Sequence, residues 1–271
     1  MIGIGKNLFK SNVKVVGGAS TDPDAQAFIT AAGITDATQK SAVNQLVLDL
    51  KSANIWNKMK AIYPIVGGSA STHKWNLKNP LDTNAAYRLA FSTGWTHSST
   101  GMKPNGTSAY SNTFLTPSTA LTLNSTHLSY YSRTNVNTDV YTIGVYDIGN
   151  AGTLSLYANY SNLAYSNQYN GSNGRITASV TRGDGFFIGN RTANNNHNIW
   201  RNLTKLNTST TSTSLGSLPA KTVLIAAIED ISVDGLKECA FASIGDGLTD
   251  AEASNLYTAV QNYQTTLGRN V

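Results

Sequence analysis

Between about Ala86 and Gly245 the chain repeats one pattern. Short runs alternate apolar and polar residues, and clusters of Gly, Asn, Ser and Thr separate the runs. The stretch from Thr153 to Tyr160 is representative: Leu154, Leu156, Ala158 and Tyr160 share one parity, and Ser155, Tyr157 and Asn159 the other. A period of two belongs to a β-strand with one dry and one wet face. Val223, Ile225 and Ala227 repeat the pattern against Leu224, Ala226 and Ile228. Both parities are apolar there, which predicts a central strand covered on both sides. Strands are expected near 86–91, 108–116, 126–133, 140–147, 153–159, 175–181, 184–189, 197–203, 221–228 and 238–245. No long helical period interrupts them, so the block reads as an all-β antiparallel β-sandwich.

Helices are expected only at the flanks. Thr21 or Asp22 can cap a first helix, with Pro23 in its opening turn and Gly33 past its end. Thr35 is the expected cap of a second, in which Val43, Leu46, Val47 and Leu50 recur at helical spacing. Ile55, Trp56, Met59 and Ile62 suggest a short third helix ending before Pro64, with Trp56 and Met59 as core residues. Val66–Ser71 reads as a flexible joint; it lacks the Gly-Lys-Ser/Thr of a phosphate loop. Asn207–Ser217 is a Ser/Thr tract expected to be an exposed loop. Near the C-terminus Thr249 and Glu252 are spaced as a reciprocal capping box ahead of a helix over 250–267. The expected organisation is therefore an extended N-terminal arm (1–20), a helical attachment segment (21–66), a linker (67–85) and the sandwich with its terminal helix (86–271).

Composition narrows the function classes. Only 13% of residues are charged, about half the ~25% usual for soluble domains. Amides and hydroxyls take their place. The +5 net charge, from 20 basic and 15 acidic residues, is too diffuse for a nucleic-acid surface, and Lys51–Lys60 reads as the solvated side of a helix. A single cysteine, Cys239, excludes a disulfide framework and reads as a buried, inert thiol. No run approaches a membrane span, and the first residues lack the pattern of a secretion signal.

Four stretches carry a resemblance. "IGDGLTDAEASNLYTAVQNYQ" is similar to the end of laminin-G-like, or concanavalin A-like, domains, in which a last strand leads through Leu-Thr/Ser-x-x-Glu into a short helix. "YRLAFSTGWTHSSTGMKPNGTSAYSNTFLTPS", "LTLNSTHLSYYSRTN" and "DPDAQAFITAAGITDATQKSAVNQLVLDLKSANIWNKMKAIYPIVGG" resemble bacteriophage structural proteins of the tail, fibre or spike type, across roughly residues 21–270. The resemblance implies a jelly-roll sandwich in a non-enzymatic virion component with an adhesive or host-recognition role. It also implies a homo-oligomer, a trimer by family analogy. Residues 1–66 would contact other virion proteins, and assembly would take place in the bacterial host cytoplasm. A carbohydrate-binding lectin module is the alternative, and a glycan hydrolase a further one.

Hydrolysis needs two opposed carboxylates, and the chain holds only Glu229, Glu238 and Glu252 as glutamates, none in the strand signature of sandwich hydrolases. Glu252 is assigned to the helix cap and Glu229-Asp230 to a turn. His73, His97, His127 and His197 lack metal-site spacing, so no catalytic residue and no cofactor is assigned. Asp147, at the end of a strand, and Asp184, between Gly183 and Gly185, are the nominees for calcium, against a turn role for the glycine-flanked Asp184. Sugar recognition asks for aromatic faces beside amides and hydroxyls. The candidate residues are Tyr157, Asn159, Tyr160 and Asn162, extended by Tyr165, Asn167 and Tyr169; Asn198 and Trp200; and Trp95 beside His97.

Overall fold

The computed structural model describes residues 20–138, 141–147, 152–168, 174–211, 217–228 and 235–271. The N-terminal arm, Tyr169, Glu229-Asp230 and the centre of the Ser/Thr tract lie outside them. In chain order the elements begin with α1 (Pro23–Ala32), α2 (Ala37–Ser52), β1 (Met59–Tyr63), α3 (Ala70–His73), β2 (Ala90–Phe91) and β3 (Thr96–Ser98). Then come β4 (Gly101–Lys103), β5 (Ser111–Asn112), α4 (Pro117–Ala120), β6 (Thr126–Ser132), β7 (Ile143–Asp147), β8 (Gly152–Tyr160) and β9 (Leu163–Gln168). The chain closes with β10 (Arg175–Ser179), β11 (Gly185–Ala193), β12 (Asn196–Arg201), β13 (Thr204–Ser209), β14 (Leu224–Ile225), β15 (Cys239–Gly245) and α5 (Asp250–Thr266).

The strands form two antiparallel sheets. The inner sheet runs β13-β12-β11-β6-β15-β4-β3, with β1 also paired to β15, and the outer sheet runs β10-β9-β8-β7-β14-β5-β2. Alternation decides which residues fill the space between them. Leu154, Leu156 and Ala158 of β8 and Ile143 and Val145 of β7 meet Leu128, Tyr130, Phe187, Ile199, Ala242 and Ile244 of the inner sheet in one buried cluster. The opposite parity of the inner sheet, Tyr131, Phe186, Ile188 and Trp200, is buried instead against α1, α2 and α5. The inner sheet is thus covered on both faces, by helices and by the second sheet, and the expected sandwich with flanking helices is present.

The flanking helices stop and start for local reasons. Asp22 accepts from the Asp24 amide at 2.9 Å, Pro23 occupies the first turn, and Gly33 ends α1 in the left-handed region at φ 66°. The cap of α2 is Asp36, which accepts from the Gln39 amide at 2.8 Å, one residue beyond the expected Thr35. Thr249 and Glu252 form the reciprocal box at the start of α5, and Leu248 is buried beside it.

Three expectations change. Met59–Tyr63 is a strand, β1, preceded by a single 3-10 turn at Trp56–Lys58. Its backbone completes the β15 ladder, and Ala61, Ile62 and Tyr63 are buried on both faces. The Ser/Thr tract is not all loop: β13 runs to Ser209 as the edge of the inner sheet, a place where β-branched hydroxyl residues tolerate solvent. Val66–Ser71 is not a loose joint, because Ser69 caps α3 and the Gly68 amide donates to His73 Nε2 at 3.1 Å. The central β14 is short because Ala226 turns out of the strand at φ 65°.

Candidate functional site

The outward side of β8, β9 and β10 brings aromatic and amide groups together. Cross-strand register sets two rows. One row pairs Tyr157 with Tyr165 and Tyr165 with Thr177; the other pairs Ser155 with Asn167 and Asn167 with Arg175. Residues directly opposite one another on a sheet face are in side-chain contact. Tyr157 meets Tyr165 at 5.6 Å between centroids and Tyr141 edge-on at 5.7 Å.

Tyr160 joins this face through an irregularity. Simple alternation from Leu154 would have turned it inward. The register shifts by one residue between Tyr157 and Tyr160, and such a bulge inverts the parity of everything after it. Tyr160 therefore pairs with Leu163, lies 6.2 Å from Tyr165 and is 38% exposed. The same shift buries Asn159, whose amide atoms have no hydrogen-bond partner. Asn162 sits in the β8–β9 turn at φ 63° and accepts from Asn137 at 3.2 Å, beside the tyrosines and not among them.

Polar order runs alongside the rings. Arg175 Nε donates to Asn167 Oδ1 at 2.9 Å, and Asn167 Nδ2 donates to Ser155 Oγ at 2.7 Å. The Arg175 guanidinium lies over Tyr165 at 5.5 Å and Tyr157 at 5.9 Å. Burial raises the Tyr157 phenol above its ordinary pKa against the opposing pull of Ser155 and Arg175, so it stays a neutral hydroxyl. The result is a run of tyrosine rings, Tyr141–Tyr157–Tyr165–Tyr160, in which Tyr157 is buried, Tyr141 and Tyr165 are half-buried and Tyr160 is exposed.

The other sequence candidates are placed differently. Trp200 is 4% exposed in the helix-facing core, its indole N–H bonded to Asn198 Oδ1 at 2.9 Å. Asn198 is buried between Asn190 and Trp200. Neither offers a free face to a ligand: they share a parity on β12, and both are buried, Trp200 in the helix-facing core. Trp95 lies by β2 and β3, across the sandwich from β10, and donates to the Tyr110 carbonyl at 2.9 Å. It packs with Phe91 and His97 as a small cluster of its own.

Nor do the carboxylates gather. Asp184 is held by Arg182 and by Arg201 at 3.2 Å. Burial works against its charge, but the two guanidiniums outweigh that and keep its pKa below the usual value. A carboxylate neutralised by two fixed cations does not recruit calcium. Asp147 is buried and accepts from the Ala220 amide at 2.7 Å. Glu238 is bound by Arg133 and Thr100, and Glu252 by Lys58 at 2.6 Å. Among the described residues no group of three or more His, Cys, Asp or Glu is placed to hold a metal ion. Burial pushes the Cys239 thiol up to about 12, the condition of an inert core residue. The lysines between 51 and 60 are tied to Asp22, Asp24, Glu252 and Asp246, and no described helix is long and apolar enough to cross a membrane.

No protein-family profile matches the sequence, and no curated protein sequence does. Similar backbones exist among solved structures. A mutant of Trypanosoma rangeli sialidase with trans-sialidase activity aligns at TM-score 0.53 and 10% identity, over 83% of this chain and 39% of that one. Domain 4 of AbnA, a GH43 extracellular arabinanase from Geobacillus stearothermophilus solved with arabinotriose, aligns at TM-score 0.45 and 13% identity, over 73% of this chain and 98% of that one. The binding domain of botulinum neurotoxin DC, solved in complex with SialylT, aligns at TM-score 0.46 and 11% identity, over 76% and 52%. The chain thus spans about two fifths of the sialidase and about half of the neurotoxin chain. At such identities the likeness is one of backbone path.

Proposed function

We propose that this chain is a non-catalytic, carbohydrate-binding sandwich of the concanavalin A-like kind, and that it takes its ligand on the tyrosine face of β8–β10. The observation that carries the reading is the contiguous run Tyr141–Tyr157–Tyr165–Tyr160, with Tyr160 exposed and an ordered Arg175–Asn167–Ser155 chain beside it. A sugar presents an apolar C–H face that covers aromatic rings and a rim of hydroxyls that amides and guanidinium groups can read. The carboxylates that could serve a hydrolase, Glu238, Glu252 and Asp184, are each engaged by cations. This supports binding without cleavage.

The test is a glycan array followed by calorimetry with the wild type and Tyr165→Ala. The expected outcome is saturable binding to at least one glycan class, weakened about tenfold or more in the variant through loss of ring contact. A wild type that binds no glycan, or a Tyr165→Ala protein that binds as well as the wild type, would reject the assignment. Display on a bacteriophage particle, with residues 1–66 attaching a homo-oligomer to other virion proteins, is the biological setting suggested by the resemblance of residues 21–270. Antibody labelling of purified particles tests that setting separately.

A further inference from the structure

The outward face of the sheet carries one guanidinium whose surroundings differ from those of the other arginines. Arg133 faces Glu238, Arg88 faces Asp82, and Arg182 and Arg201 face Asp184. Arg191 and Arg269 are buried and bonded to amide and carbonyl oxygens. Arg175 is exposed on the edge strand of the outer sheet, and among the described residues its only hydrogen bond is through Nε to Asn167. Among the described residues no carboxylate and no other acceptor meets its two terminal nitrogens.

We propose that Arg175 makes the tyrosine face selective for acidic glycans, receiving the carboxylate of a uronic acid-type sugar on its terminal nitrogens. The inference rests on the carbohydrate-binding reading given above and adds the class of sugar.

Three features support it. First, the guanidinium is oriented before any ligand arrives. Nε is anchored to Asn167, which is 3% exposed and itself fixed by the fully buried Ser155, while the Tyr165 and Tyr157 rings lie beneath. A long side chain held in this way loses less freedom on binding than a loose surface arginine. Second, using Nε internally leaves the fork of terminal N–H groups pointing away from the anchor, the edge that meets both oxygens of a carboxylate in a planar, two-bond contact. Third, the fork lies beside the rings. A pyranose covering Tyr165 and Tyr160 with its C–H face would bring a substituent at its rim toward Arg175, as these rings are 6.2 Å apart and the guanidinium is 5.5 Å from Tyr165. An aromatic floor with one unneutralised cation at its border matches a sugar with one fixed negative charge. A neutral sugar would leave that charge unmatched, although it could still cover the rings.

The experiment compares oligogalacturonate, its methyl ester and a sulfated dextran oligosaccharide by calorimetry at low and high salt, using the full chain and the variants R175Q and Y165A. The expected result is binding of oligogalacturonate about tenfold or more tighter than its methyl ester, with the margin shrinking as salt rises. In R175Q the acid and the ester should bind within about twofold of one another, because the charge that separates them is gone. In Y165A both should weaken about tenfold or more. Equal binding of acid and ester by the wild type would overturn the selectivity while leaving the glycan site standing. Tighter binding of the sulfated oligosaccharide than of the uronate would overturn the carboxylate assignment. Binding of none of the three, with the glycan array also blank, would remove the underlying site as well. R175Q replaces an exposed side chain, and an unchanged thermal midpoint verifies that the comparison is between folded proteins.

Discussion

The Nδ1 atoms of His73 and His97 face each other at 2.9 Å, and a backbone amide decides which of them holds the shared proton. Gly68 N–H donates to His73 Nε2 at 3.1 Å, so that nitrogen is an acceptor and the His73 proton sits on Nδ1. His97 must then accept at Nδ1 and carry its own proton on Nε2. Both rings are neutral in this arrangement, and protonating His97 would set two donors against each other.

Acid should therefore destabilise the fold. Burial first, then the neighbouring His97 and Arg269, lower the His73 pKa to about 3. Burial also lowers His127 to about 4 and, with Arg191 nearby, His197 to about 3. An unfolded histidine titrates near ~6.5. Between that value and the folded pKa values the unfolded chain binds more protons, so stability is full above ~6.5 and falls as pH drops through this window. At about pH 5 the loss is on the order of 2 kcal/mol for each of the three buried histidines. Urea unfolding at neutral and at mildly acidic pH measures it, and an unchanged midpoint would contradict the neutral-pair assignment.

Trp200 separates packing from recognition. Its indole is buried between the inner sheet and the helices, so Trp200→Ala should cost about 3–5 kcal/mol of stability. The glycan affinity of the folded fraction should not change. Chemical denaturation and calorimetry on the same sample read the two effects apart.

Arg269 ties the C-terminal segment to the residues that follow β1 and to β15. Its guanidinium donates to the carbonyls of Pro64 at 2.9 Å, Ile65 at 2.6 Å and Ala240 at 3.0 Å, and to Gln264 at 2.6 Å. Arg269→Ala leaves those buried acceptors unpaired and should destabilise by roughly 3–5 kcal/mol. Arg269→Lys should recover only part of this, because a point charge cannot span the same set of carbonyls. Denaturant midpoints for the two variants give the comparison.

At Gly245 the 3-10 turn that precedes β1 lies tight against β15. A Cβ there would stand 2.3 Å from the Lys58 carbonyl oxygen, a backbone atom that cannot rotate aside. Gly245→Ala should force the strands apart and cost more than about 2 kcal/mol. Amide hydrogen exchange should show lost protection in Met59–Tyr63 before the rest of the sheet.

At the far end, Thr249→Ala removes one half of the reciprocal cap on α5, where Thr249 Oγ1 accepts from the Glu252 amide at 3.3 Å. The expected loss is about 1 kcal/mol, and Thr249→Asp should restore most of it. Thermal melts of the two variants suffice.

The strand pattern was legible wherever burial tracked alternation, as at Leu154, Leu156 and Ala158. It failed where polar side chains fill the interior. β9 holds Ser166 and Gln168 on its inward side, bonded to His197 at 2.9 Å and to Thr126 at 2.5 Å, so its hydrophobic period is erased. β1 was misread as helix because Ile55, Trp56, Met59 and Ile62 happen to fall at helical spacing, and only the unpaired edge of β15 decides otherwise. The site divided in the same way. Tyr157 and Tyr160 were visible as an aromatic–amide mixture, but the bulge that puts both on one face was not. Arg175 carried no signal at all, since its meaning comes from the β9–β10 register that sets it opposite Asn167, and β9 has no hydrophobic period to reveal that pairing.

The three layers also give the molecule a direction. Lys51 grips Asp22 on the helical side at 2.7 Å, and Val271 N–H reaches Tyr131 Oη at 3.0 Å on that same side. Tyr160 and Arg175 are exposed at the opposite surface, beyond both sheets. Anything that holds the protein by its helices leaves the rings pointing away from the holder, so anchoring and recognition can proceed at once without competing for space.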